Sequence, residues 1–92
     1  MENWNVPKLK EAAQNVVGNR IYVDVSYADS TGKYCSRQNS ENYLIVGVMS
    51  DNVGVIESLR ELPGFLKFSK LRNAEGNIVA RALFTREKRF HN

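Results

Sequence analysis

Residues 43–49 read YLIVGVM, a run in which every residue except Gly47 carries an apolar or aromatic side chain. Polar residues lie on both sides of this run, in RQNSEN (37–42) and in SDN (50–52). A short apolar run with polar turn residues at its ends is typical of a strand covered on both faces. The run therefore predicts the central strand of a sheet, and the other elements are placed around it.

A helix is predicted on each side of the central strand. In residues 7–17 apolar side chains recur at helical spacing, after Asn5 as an N-cap and before Gly18 as a C-terminal stop. After the central strand, residues 50–52 offer a cap for a second helix, which ends at Pro63-Gly64. The inward-facing residues of that helix are predicted to be Val53, Ile56, Leu59 and Leu62.

Two strands are predicted between the first helix and the central strand. Residues 20–28 alternate in character, which is typical of a half-buried strand. The turn residues DSTG (29–32) follow, and a short strand through Tyr34 and Cys35 completes a hairpin. The alternation places three residues together on the face away from the core: Tyr22, Asp24 and Ser26.

A second hairpin is predicted near the end of the chain, from residues 65–72 and 77–86. The intervening NAEG (73–76) suits a type I turn in which Gly76 takes the left-handed conformation. Counting back from this turn pairs the strand residues in a defined order. The hairpin therefore has a predicted register as well as predicted bounds.

That register separates the hairpin residues into two faces. It places Leu66 opposite Phe84, and it places Lys67 and Arg81 on the other face as diagonal neighbours. Two neighbouring cations repel each other, so this pair requires solvent or an anion nearby.

Together these segments predict an α+β fold in the order α-β-β-β-α-β-β. Two helices pack on a mostly antiparallel sheet of four to five strands. The 92 residues fit one domain, 1–92, of which residues 87–92 are predicted to be a flexible basic tail.

The last third of the chain is strongly basic. From Phe65 onward there are seven cations and two acids, a net charge of +5, whereas the whole chain carries +3. A clustered positive field attracts polyanions at long range. The seven cations are therefore the predicted polyanion- or partner-binding residues: Lys67, Lys70, Arg72, Arg81, Arg86, Lys88 and Arg89.

The composition argues against catalysis, metal binding and membrane insertion. One cysteine, Cys35, and one histidine, His91, do not supply a nucleophile with an ordered base or the ligands of a zinc site. STGKY (30–34) lacks both the leading glycine and the trailing Ser or Thr of a phosphate-binding loop. No apolar run reaches membrane-spanning length, and no signal peptide is recognisable. We expect a non-enzymatic, cytoplasmic protein with no cofactor and no metal.

Two functional hypotheses follow. The first is a small binding protein whose basic hairpin engages nucleic acid or a nucleoprotein complex. The second is a protein–protein inhibitor or adaptor, of a phage-type, anti-CRISPR-like kind, that docks on an acidic surface of a larger machine. The basic hairpin favours the first hypothesis, whereas the second is supported by small size and the lack of catalytic residues.

Overall fold

The first helix, α1 (Val6–Val17), begins and ends where its caps predict. In the computed structural model, which describes residues 3–87, the Asn5 side chain accepts a hydrogen bond from the Lys8 N–H at 2.8 Å. Gly18 follows the last helical turn, and its N–H donates to the Gln14 carbonyl. The helix buries one stripe of side chains, Leu9, Ala13 and Val17, as its apolar spacing predicts.

Four strands form one antiparallel sheet: β1 (Val23–Ala28), β2 (Tyr43–Ser50), β3 (Phe65–Arg72) and β4 (Ile78–Thr85). Their order across the sheet is β1-β2-β4-β3, so β2 is central as its apolar run predicts. The α+β class and the element order are confirmed. The short strand predicted through Tyr34 and Cys35 is reduced to an isolated bridge between Ala28 and Tyr34, which leaves four strands.

The second helix, α2 (Val53–Glu57), continues as a 3₁₀ turn (Ser58–Glu61) and links β2 to β3. The Asn52 side chain caps it by accepting from the Val55 N–H at 3.2 Å. Ile56 and Leu59 are fully buried as predicted, and Leu62 packs against the core. Val53 is 49% exposed, so that part of the predicted inward face is wrong.

The β3–β4 hairpin has the predicted turn. The Gly76 N–H donates to the Asn73 carbonyl at 3.0 Å, and the Asn73 N–H donates to the Asn77 carbonyl at 2.8 Å. Gly76 has φ 88°, the left-handed conformation that the turn requires. The turn therefore sets the register that the sequence predicts over most of the hairpin.

The register differs from the prediction at the open end of the hairpin. Phe65, instead of Leu66, lies opposite Phe84, because a bulge falls between Phe65 and Lys67. The Phe65 and Phe84 rings pack edge to face with centroids 5.7 Å apart, whereas Leu66 is 49% exposed. The aromatic contact in the core thus displaces Leu66 from its predicted pairing, and the bulge absorbs the extra residue.

Both helices pack on the same face of the sheet, where the core lies. The buried cluster there joins helix residues such as Leu9 and Ile56 to strand residues such as Val46 and Phe84. Trp4 belongs to this cluster, and its Nε1 donates to the Pro63 carbonyl at 2.8 Å. No helix within residues 3–87 is long and apolar enough to cross a membrane.

The predicted basic tail falls almost entirely outside the described residues. Of residues 87–92 the structure describes Glu87, which pairs with Asn3 in an isolated bridge.

Candidate functional site

The two faces of the sheet are covered unequally. The face opposite the core, here called the open face, has no helix on it within residues 3–87. At one end of this face Ile45 and Leu83 are buried together with Ala28, but Met49 is 49% exposed. The prediction that β2 is covered on both faces is therefore correct at Ile45 and wrong at Met49.

The loop after β1, residues 29–42, covers that buried end. Ser40 Oγ lies 2.9 Å from the carbonyl oxygens of both Ala28 and Tyr43, and the hydrogen bond that its hydroxyl donates there ties the loop to the strands. Gly32 lies over the hairpin, since a Cβ placed there would be 3.7 Å from Lys67 Cε and 3.8 Å from Leu83 Cδ2. The loop therefore covers one end of the open face and borders the part that stays exposed.

Hydrogen bonds within the loop fix its shape. Asp29 Oδ1 accepts from the Thr31 hydroxyl at 2.6 Å, the Thr31 N–H at 2.9 Å and the Lys33 N–H at 3.1 Å. These bonds, foremost the one from the Thr31 hydroxyl, hold the pKa of Asp29 below its ordinary value. The bridge between Ala28 and Tyr34 follows directly after this turn and positions the Tyr34 backbone.

Strand register arranges the exposed end of the open face into two rows. Asp24, Gly47, Arg81 and Ser69 are paired in turn across β1, β2, β4 and β3. In the same way Met49, Val79 and Leu71 are paired across β2, β4 and β3. The second row is apolar and exposed, since Leu71 is 72% and Met49 is 49% accessible.

Three adjoining cavities on the open face meet at Arg81, and together they are called the groove. The largest, about 470 Å³, includes Tyr22, Gly47 and Tyr34 in its lining. The second, about 280 Å³, is lined by Thr31, Lys67, Ser69 and other residues of the hairpin and the loop. The third, about 110 Å³, lies over Ser69, Leu71 and Val79. Arg81 lines all three cavities and is therefore the centre of the groove.

The charge of the groove is positive. Its lining contains Arg20, Lys67 and Arg81 against one acid, Asp24. Among the residues that the structure describes, no carboxylate forms an ion pair with Lys67 or Arg81. The Arg81 guanidinium instead lies 5.3 Å from the centre of the Tyr34 ring, a cation–π contact.

The other predicted cations that the structure describes have partners outside the groove. Lys70 lies on the core side of β3, where its Nζ is 3.0 Å from Glu57 Oε1. Arg72 donates to the Gly76 carbonyl at 2.6 Å, and Arg86 Nε donates to the Trp4 carbonyl at 3.4 Å. Lys88 and Arg89 lie outside the described residues. Of the seven predicted cations, the structure brings Lys67 and Arg81 together in the groove.

An ion pair with Glu57 holds Lys70 away from the groove. Its carboxylate contacts both Arg60 and Lys70, and these bonds, chiefly the one from Arg60, lower the pKa of Glu57. Lys70 therefore belongs to an ion-pair cluster on the other side of the sheet.

Sequence reasoning did not select several residues of the groove as site residues. Tyr22 is 77% and Tyr34 is 49% exposed, although tyrosines in strand-like segments are usually half buried. A signal for Tyr22 was present, because the alternation of residues 20–28 places it on the face away from the core. The residues of the groove that were missed include Arg20, Tyr22, Asp24, Tyr34, Gly47, Met49, Leu71 and Val79.

Comparison with known proteins yields no relative. No protein-family model, no curated protein and no solved structure matches this chain. The function is therefore inferred from the geometry of the chain itself.

Proposed function

We propose that the open face binds single-stranded nucleic acid, either free or within a nucleoprotein complex, and that the protein catalyses no reaction. The observation that carries this proposal is the convergence on one groove of two exposed tyrosines with two cations, Lys67 and Arg81, that form no ion pair within residues 3–87. Cations contact phosphates, and aromatic rings stack on bases. The groove holds both kinds of group.

A single strand fits this surface better than a duplex does. Bases in a single strand are free to stack on Tyr22 and Tyr34, whereas in a duplex their faces are hidden in the helix. The three cations of the groove, Arg20, Lys67 and Arg81, then contact the backbone beside the stacked bases. Met49 and Val79 form an apolar floor that packs against a base and does not by itself select one.

The test is fluorescence anisotropy with short single-stranded RNA and DNA and with a matched duplex. We expect the single strands to bind more tightly than the duplex. If three phosphates are contacted, affinity falls about 15- to 20-fold between about 50 and 200 mM salt. The absence of binding to any strand at the lower salt concentration overturns the proposal.

The hairpin provides a matched pair of double variants. Lys67→Ala/Arg81→Ala removes two cations from the groove, and Lys70→Ala/Arg72→Ala removes two cations that contact Glu57 and the Gly76 carbonyl. Both variants change the net charge equally, so a difference in their affinities shows that the location of the cations matters. We expect at least about a tenfold loss for the first and less than about threefold for the second. Equal losses contradict a groove-specific site.

A second candidate function is supported by the apolar row of the open face. Tyr, Met and Arg are enriched in protein interfaces, and Tyr22, Met49 and Arg81 line one cavity. An inhibitor or adaptor that docks on an acidic protein surface uses the same groove. Leu71→Ser changes no charge and lies outside the cavity that Tyr22 and Tyr34 line, so it separates the two functions. Loss of a protein partner with unchanged oligonucleotide affinity supports docking on protein.

A further inference from the structure

Gly47 leaves an open space in the middle of the groove. It is paired with Asp24 on β1 and with Arg81 on β4, and all three positions belong to the open face. Neighbouring strands lie about 4.8 Å apart, so the two charged residues are separated by about 9.6 Å at their backbones. Gly47 places no side chain between them, and the 470 Å³ cavity lies over this gap.

The walls of the cavity suit a flat aromatic ligand. Tyr22 and Tyr34 both line it; Tyr22 is mostly exposed, with Lys10 Nζ 5.8 Å from the centre of its ring, and Tyr34 is about half exposed. The Arg81 guanidinium lies over the face of the Tyr34 ring, and its N–H groups remain available to a ligand. A nucleobase is the part of a nucleic acid that matches this shape.

Two opposed polar groups face that space. Asp24 Oδ2 accepts from Ser26 Oγ at 3.3 Å, and within residues 3–87 its second oxygen has no donor. Asp24 therefore offers acceptors on one side of the cavity. Arg81 offers donors on the other side, since its one described contact is with the Tyr34 ring.

Guanine complements this arrangement on two edges. One edge of the base carries two donors, N1–H and the N2 amino group, and another carries two acceptors, O6 and N7. In adenine and cytosine a ring-nitrogen acceptor stands beside the amino group and would face the carboxylate. In uracil two carbonyls flank the single N–H.

Resting on the function proposed above, we propose that the cavity over Gly47 binds one guanine base of the single strand. Asp24 accepts hydrogen bonds from N1–H and the N2 amino group, and Arg81 donates to O6 and N7. Tyr34 and Tyr22 stack against the base, and Lys67 contacts a neighbouring phosphate. The groove then distinguishes guanine from the other bases at one position of the strand.

The first test compares about nine-nucleotide oligouridines whose central base is G, A, C or U. We expect the G oligonucleotide to bind at least about fivefold more tightly than the others. This factor is the lower end of the discrimination that one bidentate pair provides against a wrong base. Asp24→Asn keeps the side-chain size and removes the carboxylate. This variant should lose the G preference while its affinity for oligouridine stays equal or rises, because a negative charge leaves the groove.

A second variant fills the space without changing charge. A Cβ at Gly47 would meet nothing nearer than the Cβ and carbonyl oxygen of Asp24, each at 3.9 Å. Gly47→Ala is therefore accommodated, and Gly47→Val adds a branched side chain that suits a strand. We expect the G preference to decrease stepwise from Gly to Ala to Val, with unfolding midpoints that show the sheet to be retained.

The outcomes separate the base site from the proposed function. Equal affinity for all four oligonucleotides, still lowered by Lys67→Ala/Arg81→Ala, overturns the guanine site and leaves strand binding in place. Failure of every oligonucleotide to bind overturns both. A G preference that Asp24→Asn does not change overturns the assigned contacts. Free GMP that competes as strongly as the G oligonucleotide assigns the cavity to a nucleotide and overturns recognition within a strand.

Discussion

Gly64 and Gly76 have the same φ of 88° in very different surroundings. A Cβ at Gly64 would lie 2.9 Å from the Thr85 carbonyl oxygen and 3.2 Å from Trp4 Nε1, whereas a Cβ at Gly76 would meet nothing within 4 Å. A side chain at either position therefore has the backbone cost of a positive φ, and a side chain at Gly64 also clashes with the backbone of Thr85.

This pair gives a stability prediction with its own control. Gly76→Ala should lower the free energy of unfolding by about 1–2 kcal/mol, the cost of the left-handed conformation. Gly64→Ala should lower it by about 2–5 kcal/mol, because overpacking against Thr85 and Trp4 is added. Urea unfolding of both variants measures the difference. Equal losses would show that the space around Gly64 relaxes freely.

At the level of elements, the β3–β4 hairpin shows what a local pattern specifies. The turn residues 73–76 determine the pairing from Arg72 and Ile78 as far as Lys67 and Leu83, because each residue follows the turn at a fixed count. The bulge beyond Lys67 depends on Phe65 packing against Phe84, a contact in the core that the turn does not determine. Lys67 keeps its predicted face because the bulge lies between Phe65 and Lys67.

The loop that holds Tyr34 yields a prediction on pH. The pKa of Asp29 is lowered in the folded chain, mainly by the Thr31 hydroxyl. A folded-state pKa below the unfolded value means that the carboxylate stabilises the fold above about pH 4, and that this contribution is lost as pH falls through the folded-state pKa.

Asp29→Asn keeps an acceptor oxygen and removes the titration. We expect the wild type to lose more stability than this variant between about pH 7 and about pH 3, measured by urea unfolding at both values. Thr31→Val should reduce the pH dependence of the wild type for the same reason, because it removes the largest cause of the shift. A variant and a wild type with identical pH dependence would contradict the role of Asp29.

For the whole molecule, the groove is a consequence of the sheet order. The connection from β2 to β3 carries α2 over the same face as α1, and β4 then inserts between β2 and β3. This order brings Arg81 on β4 next to Gly47 on β2 and keeps all helix packing on the other side. Arg81 lies between loop 29–42 and β3 for the same reason.

Removing residues 88–92 tests whether the groove or the end of the chain provides the affinity. The shortened chain keeps Lys67, Arg81 and the tyrosines but lacks Lys88 and Arg89. We expect its affinity for single strands to fall less than that of Lys67→Ala/Arg81→Ala, and its salt slope to decrease by at most about 1.4 for two lost phosphate contacts. Anisotropy at several salt concentrations measures both quantities. A larger loss than in the double variant would place the main site at the end of the chain.

The sequence by itself determined the two helices, four of the five predicted strands, the α+β class, the hairpin turn and the diagonal placement of Lys67 and Arg81. These features depend on side-chain period, caps and turn residues, all of which act over a few neighbouring positions. Only the tertiary structure decided that Lys70 is paired with Glu57 and that Tyr22 and Tyr34 join the groove. Strand order and the path of a long loop decide those neighbours, because they join positions far apart in the chain through packing of the whole core.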